Sequence, residues 1–209
     1  MTATAKANSD ELILLIISSP SGAGKTTLTH RLLQDFPGFR FSVSHTTRAP
    51  RANEVDGQDY HFTDEATFRR LIDEGEFAEW AEVHGNLYGT SVSELERARA
   101  ERRSGLLFDV DYQGARQIKA KFPQAIGVFI LPPSLPELRR RLEGRASDSP
   151  ETIQRRFDKA RDEISHYAFF DYLIVNDDLQ HALAELRGVL HAEGCRSWRK
   201  AATAEELLD

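Results

Sequence analysis

"LILLIISSPSGAGKTTL", residues 12–28, runs an unbroken apolar segment into two glycines, a lysine and a pair of threonines. The apolar part suits a strand buried on both faces of a parallel sheet. A turn after it needs only one or two permissive residues, and a surface loop gains nothing from a lysine flanked by hydroxyls. The order Gly22-Ala23-Gly24-Lys25-Thr26, between a strand and a helix, is that of a phosphate loop. Successive N–H groups curl around phosphate oxygens, glycine permits the dihedrals and the close approach, and the next helix turns its positive end to the anion. Lys25 can carry charge to β- and γ-phosphates, and Thr26 can offer a hydroxyl to Mg²⁺. Ser19, Pro20, Ser21 and Thr27 complete the loop; the strict pattern has glycine where Ser19 stands. The competing reading, a glycine-rich turn with an exposed lysine, is disfavoured by the strand–loop–helix context.

Working outward, three more continuous apolar runs follow: "GLLFDVD" (105–111), "AIGVFIL" (125–131) and "YLIVND" (172–177). Helix-compatible spacing occupies 24–35, 113–121, 135–143, 151–167 and 179–193. This alternation predicts an α/β fold with a mostly parallel, helix-covered sheet. Ligands of such sheets sit at the carboxyl ends of the strands, where the polar clusters 18–27, 109–111 and 176–178 fall. Asp109 ends a buried strand, a usual place for an acid that holds Mg²⁺ beside a phosphate loop; the alternative is a carboxylate capping the next turn.

The alternation breaks twice. Residues 44–104 are polar and rich in arginine, glycine and tyrosine, too long for a crossover, and read as an inserted subdomain. Residues 142–156 form a charged excursion between helices, a length of loop that is usually functional. Residues 1–11 read as a polar, mobile tail without the apolar stretch of a secretory signal, and 195–209 as an appendage with a short helix.

Composition narrows the class. The 209 residues carry 27 basic and 33 acidic side chains, a net of −6, which argues against a nucleic-acid partner. The single cysteine, Cys195, excludes an internal disulfide and fits a cytoplasmic setting. The apolar run at 12–17 is too short to span a bilayer, so no membrane partner is expected. The seven histidines, His45 and His84 among them, show no ligand spacing with cysteine or acid.

The insertion holds "SVSHTTRAPRANEVDGQDYHF" (42–62) and "EFAEWAEVHGNLYGTS" (76–91). Arg48 and Arg51, with Tyr60 and Tyr88, make a good receptor for a second phosphate dianion; a solvated basic loop with core tyrosines is the alternative. Taken with "SPSGAGKT", "DVDYQG", "LPPS", "RLEGR" and "VNDD", the chain from about residue 12 to 194 resembles the guanylate kinases, which phosphorylate GMP with ATP.

The resemblance implies a three-layer P-loop NTPase fold with core segments 12–43, 105–141 and 168–194, a GMP-binding subdomain at 44–104 and a lid at 142–167. It implies ATP on residues 19–27 and at Asn176, near the adenine. The GMP phosphate falls to Arg48, Arg51, Tyr60 and Tyr88, and guanine to Ser44, Glu79, Thr90 and Asp111. Mg²⁺ falls to Thr26 and Asp109, and catalysis to Lys25, Arg48 and the lid arginines Arg145 and Arg156. Arg141 is placed near the ATP side, and Arg155 is read as solvated. The chemistry agrees. Guanine presents N1–H and its amino group as adjacent donors to a carboxylate, whereas adenine presents an acceptor at N1. Rejection built on such a mismatch reaches about 10⁴-fold. Use of dGMP and a homo-oligomeric state stay open. A non-catalytic scaffold of similar fold has no need of Lys25, Thr26 or Asp109. Another small-molecule kinase is disfavoured by "TTRAPR" and "GNLYGTS".

Overall fold

The computed structural model describes residues 12–83, 85–144 and 149–208. The expected tail 1–11, together with His84 and Arg145, lies outside them. The chain opens with β1 (Ile13–Ser18), buried from Leu14 onward, and α1 (Lys25–Asp35). Then come β2 (Phe39–Phe41), β3 (His45–Thr46), β4 (His61–Phe62), α2 (Glu65–Asp73), β5 (Phe77–Val83), β6 (Asn86–Ser91) and α3 (Ser93–Ala100). The second half supplies β7 (Gly105–Asp109), α4 (Tyr112–Lys121), β8 (Ile126–Leu131), α5 (Leu135–Glu143), α6 (Pro150–Ser165), β9 (Tyr172–Val175), α7 (Leu179–Gly194) and α8 (Ala201–Glu206).

Five strands form one parallel sheet in the order β2-β7-β1-β8-β9. Both neighbours of the central β1 come late in the sequence, so the chain winds to one side and then the other. The switch point lies beside the carboxyl end of β1, where the glycine loop begins. Alternation along β1 sends its side chains to opposite layers. Leu15 and Ile17 pack with Leu28 and Leu32 of α1 and with Leu183, Leu186 and Leu190 of α7. Leu14 and Ile16 pack with Phe108, with Leu95 and Ala98 of α3, and with Ala115 and Ile118 of α4. Helix, sheet and helix make the expected three layers.

A second sheet, β4-β3-β6-β5, stands apart. It is mixed: β3 pairs with β4 in parallel and with β6 antiparallel, and β6 pairs antiparallel with β5. Its core is small, built from Phe68, Phe77 and Leu87 with Leu71 and Ile72 at the margin. The Phe68 and Phe77 rings stack with centroids 4.5 Å apart. The β5–β6 register slips between Phe77, opposite Ser91, and Glu79, opposite Thr90. This is a bulge, which bends the strand and re-aims a side chain. As a result Phe77 enters the small core while Glu79 shares a face with Thr90 and Tyr88.

Two element readings change. α3, placed within the insertion by sequence, packs Leu95 and Ala98 onto the large sheet. Within the excursion 142–156, residues 142–143 and 150–156 are helical. Ser134 caps α5 by accepting from the Glu137 N–H (3.2 Å), and Ser149 caps α6 by accepting from the Thr152 N–H (3.3 Å). A proline in the first turn of each suits such a start. The helix read over 151–167 is α6, and the charged stretch 150–156 is its first two turns. At the far end, a 3₁₀ turn at Ser197–Arg199 leads into α8. Among the described residues no helix is long and apolar enough to cross a membrane.

Candidate active site

The glycine loop is strained where glycine tolerates it. Gly22 and Gly24 have φ of 92° and 95°, in the left-handed region that disfavours a Cβ. Gly24 precedes the first residue of α1, so the loop's amides lead directly into that helix's positive end. The Ala23 carbonyl accepts from the Asn176 side-chain amide (2.7 Å), and Arg141 reaches the Asn176 carbonyl (3.0 Å). Asn176 is buried at the end of β9, where it braces the glycine loop. Arg141 joins the same brace and is held from its other side by Glu137 (2.8 Å).

Lys25 forms an ion pair with Asp109, whose carboxylate arrives from the end of β7. Thr26, next in the chain, stands exposed in the first turn of α1. A hydroxyl and a carboxylate at one phosphate-binding loop are hard oxygen donors. Mg²⁺ commonly takes one or two of these and completes its shell with phosphate and water. The residues therefore fit a nucleotide-bound Mg²⁺.

A second cluster, of Arg48 with two tyrosines, lies on the small sheet. The Arg48 guanidinium is 5.4 Å from the Tyr60 ring centroid, and the Tyr60 and Tyr88 rings are 6.0 Å apart. Hydrogen bonds to Glu54 first, and then to Tyr88, hold the Arg48 pKa above its usual value. The main partner of Arg48 is a residue the sequence reading missed: both oxygens of Glu54 accept from its Nη2, at 2.8 and 2.9 Å. Glu54 also accepts from the Arg51 N–H (2.8 Å), and the Arg51 guanidinium, 76% exposed, stands 3.8 Å away. The three-residue spacing of Arg48, Arg51 and Glu54 was the available signal. Burial raises the Tyr60 phenol pKa first, and the charge of Asp109 raises it further. The phenol thus feels the carboxylate that pairs with Lys25.

Beside this cluster, Ser44 and Thr90 share a hydrogen bond between their hydroxyls at 3.0 Å. Thr90 also donates to Glu79, a residue 5% exposed. Burial lifts the Glu79 carboxyl to about 7; nearby Asp111 adds to the rise, and the Thr90 hydrogen bonds oppose it. Asp111 caps α4, its Oδ1 accepting from the Gln113 and Gly114 amides, both at 3.0 Å. Capping and a place near Glu79 coexist.

Arg156, the lid arginine within the described residues, lies on the second turn of α6. Glu163, on the same helix, is buried. It hydrogen-bonds to the Ser21 main chain of the glycine loop, and burial raises its pKa. Nothing in its charged local sequence signals this; only tertiary packing brings α6 to the loop.

A glycine loop between a central strand and a helix, a strand-end acid and this sheet order define a phosphate-loop nucleotide-binding protein. The guanylate kinase family model matches residues 12–193. The guanylate kinase of Geobacter metallireducens is 53% identical over 199 residues, covering 95% of this chain and 98% of its own. That of Aromatoleum aromaticum is 55% identical over 183 residues, covering 88% and 89%. The crystal structure of guanylate kinase from Anaplasma phagocytophilum superposes with a TM-score of 0.74 at 35% identity, covering 90% of this chain and 89% of that one. The chain belongs to the guanylate kinase family.

Proposed function

We propose that the chain transfers the γ-phosphoryl group of ATP to GMP, giving ADP and GDP, with the donor on the glycine loop and the acceptor on the small sheet. The observation that carries the reading is the meeting of two anion sites. The Lys25–Asp109 pair closes the donor loop, and Tyr60 of the arginine–tyrosine pocket lies within the electrostatic reach of Asp109. No covalent intermediate is needed, because phosphoryl transfer chiefly demands alignment and neutralisation of charge.

The loop amides and Lys25 hold the β- and γ-phosphates. Arg48, Arg51, Tyr60 and Tyr88 hold the acceptor phosphate, displacing Glu54 from the arginines. Glu79, supported by Thr90 and Ser44, accepts from guanine N1–H and its amino group, and Asp111 adds a second carboxylate. Thr26 and Asp109 would hold Mg²⁺, which when bound offsets charge on the phosphate oxygens. Arg156, with Arg145 beyond the described residues, supplies positive charge from the lid side. A coupled assay of ADP release tests the reading: GMP supports turnover, whereas AMP, CMP and UMP fall far behind. Equal turnover of any of these three defeats the assignment of Glu79.

A further inference from the structure

Of the two carboxylates read into the base pocket, Glu79 stands on β5 of the small sheet and Asp111 at the start of α4. β5 is an edge strand of the small sheet, so its outer main-chain groups need partners. α4 supplies them. The Gln117 side chain forms a two-way hydrogen bond with one residue of that edge. Its Oε1 accepts from the Trp80 N–H (3.1 Å), and its Nε2 donates to the Trp80 carbonyl (2.7 Å). Lys121, one turn on, donates to the Phe77 carbonyl (3.3 Å).

Asp111, Gly114 and Gln117 recur every three residues, which places them along one side of α4. A Cβ on Gly114 would stand 2.7 Å from Glu79 Oε2 and 3.1 Å from Val110 Cβ. The helix therefore lies against the carboxylate with no room for a methyl group. Ala115 and Ile118 meanwhile anchor α4 in the large-sheet core. A single helix thus carries Asp111 at its start and pins the residue after Glu79 by its middle.

We propose that Gln117, with Gly114, is a positioning residue for acceptor recognition: its paired hydrogen bonds to the Trp80 main chain hold the Glu79 carboxylate opposite Asp111. The proposal deepens the reading of Glu79 as the guanine acceptor and rests on it. Gln117 is itself exposed, so Gln117→Met keeps bulk and removes both bonds without opening a core.

Steady-state kinetics on the full chain test the proposal, with thermal midpoints recorded alongside. Gln117→Met should raise KM for GMP about tenfold, as expected for two lost hydrogen bonds. KM for ATP should stay within about twofold, and the preference for GMP over inosine monophosphate, which lacks the amino group, should shrink. Gly114→Ala is the second variant. Alanine favours the helix, so a stable variant with the same GMP-selective defect separates positioning from folding. Glu79→Gln is the reference. If Gln117 acts through Glu79, the double variant Glu79→Gln/Gln117→Met is no worse for GMP than Glu79→Gln alone. The proposal is overturned if Gln117→Met leaves KM for GMP unchanged while Glu79→Gln raises it, if both KM values rise together, or if the two effects multiply. Should Glu79→Gln itself leave GMP binding intact, the reading of the base pocket fails, and this one with it.

Discussion

Burial leaves the Glu79 carboxyl half protonated near pH 7, and the guanine contact proposed for it needs the charged form. Burial, with the charge of Asp111 adding to it, produces the shift to about 7. Protonation removes an acceptor that both guanine donors require. KM for GMP should therefore rise as pH falls below 7, by up to about tenfold per pH unit, while KM for ATP changes little. Initial rates across pH 5.5–8.5 check this, and a flat GMP profile would refute it. The same shift has a stability cost. A carboxyl whose folded pKa is raised from 4.5 to about 7 stabilises the fold below 4.5 and loses that contribution as pH rises through 7. Glu79→Gln should therefore stabilise the ligand-free protein at pH 8 by up to about 3 kcal/mol, measured by urea unfolding. His45 works in the opposite direction. It stacks on His61 with centroids 4.7 Å apart, and burial, followed by the charge of His61, lowers its pKa to about 4. Its contribution is full above 6.5 and is lost as pH falls towards 4. The two slopes oppose each other between 4.5 and 6.5, and Glu79→Gln should expose the acid-side decline due to His45. Glu79, Ser44 and Thr90 meet as expected, whereas Glu54 and Glu163 were hidden because their partners are set by loop and tertiary packing.

Loops and strands divide the labour between donor and acceptor, so variants should divide too. Lys25→Ala removes the ammonium from the Asp109 side of the glycine loop and should lose most activity while GMP affinity, read by calorimetry, stays near wild type. Arg51→Ala removes a mostly exposed guanidinium and should act chiefly through KM for GMP. The reverse pattern would mean that the two sites have been exchanged. The elements themselves were legible where physics is local. β1, β7, β8 and β9 are continuous apolar runs, and α5 spans 135–143 as read, because Ser134 caps it sharply. β2 escaped notice: three residues with Arg40 at the centre carry no strand signature, and only pairing with β7 defines them. β3 and β4, two residues each, are likewise creatures of their neighbours.

Across the whole molecule the stability is uneven. The large sheet is enclosed by two extensive cores, whereas the small sheet rests on Phe68, Phe77 and Leu87. Amide hydrogen exchange should therefore be faster in 45–91 than in β1, β7 and β8, and saturating GMP should slow it most in the small sheet. Phe68→Ala should cost about 3–4 kcal/mol and weaken GMP before ATP; an equal loss for both nucleotides would contradict this separation. The sequence marked the insertion by its change of composition, but not its true end. α3 has the same charged character as the insertion, and only the burial of Leu95 and Ala98 assigns it to the larger body.

The bulge in β5 makes the pocket depend on parity. Phe77 and Glu79, two positions apart, would project the same way in a regular strand. Pair the segment regularly at its present length, without the bulge at Ala78, and one of two misfits follows. Either the acid is driven among the rings of Phe68 and its neighbours, or Phe77 abandons them for the solvent side. An odd count at a single point along the edge keeps grease and charge on opposite sides of one thin sheet.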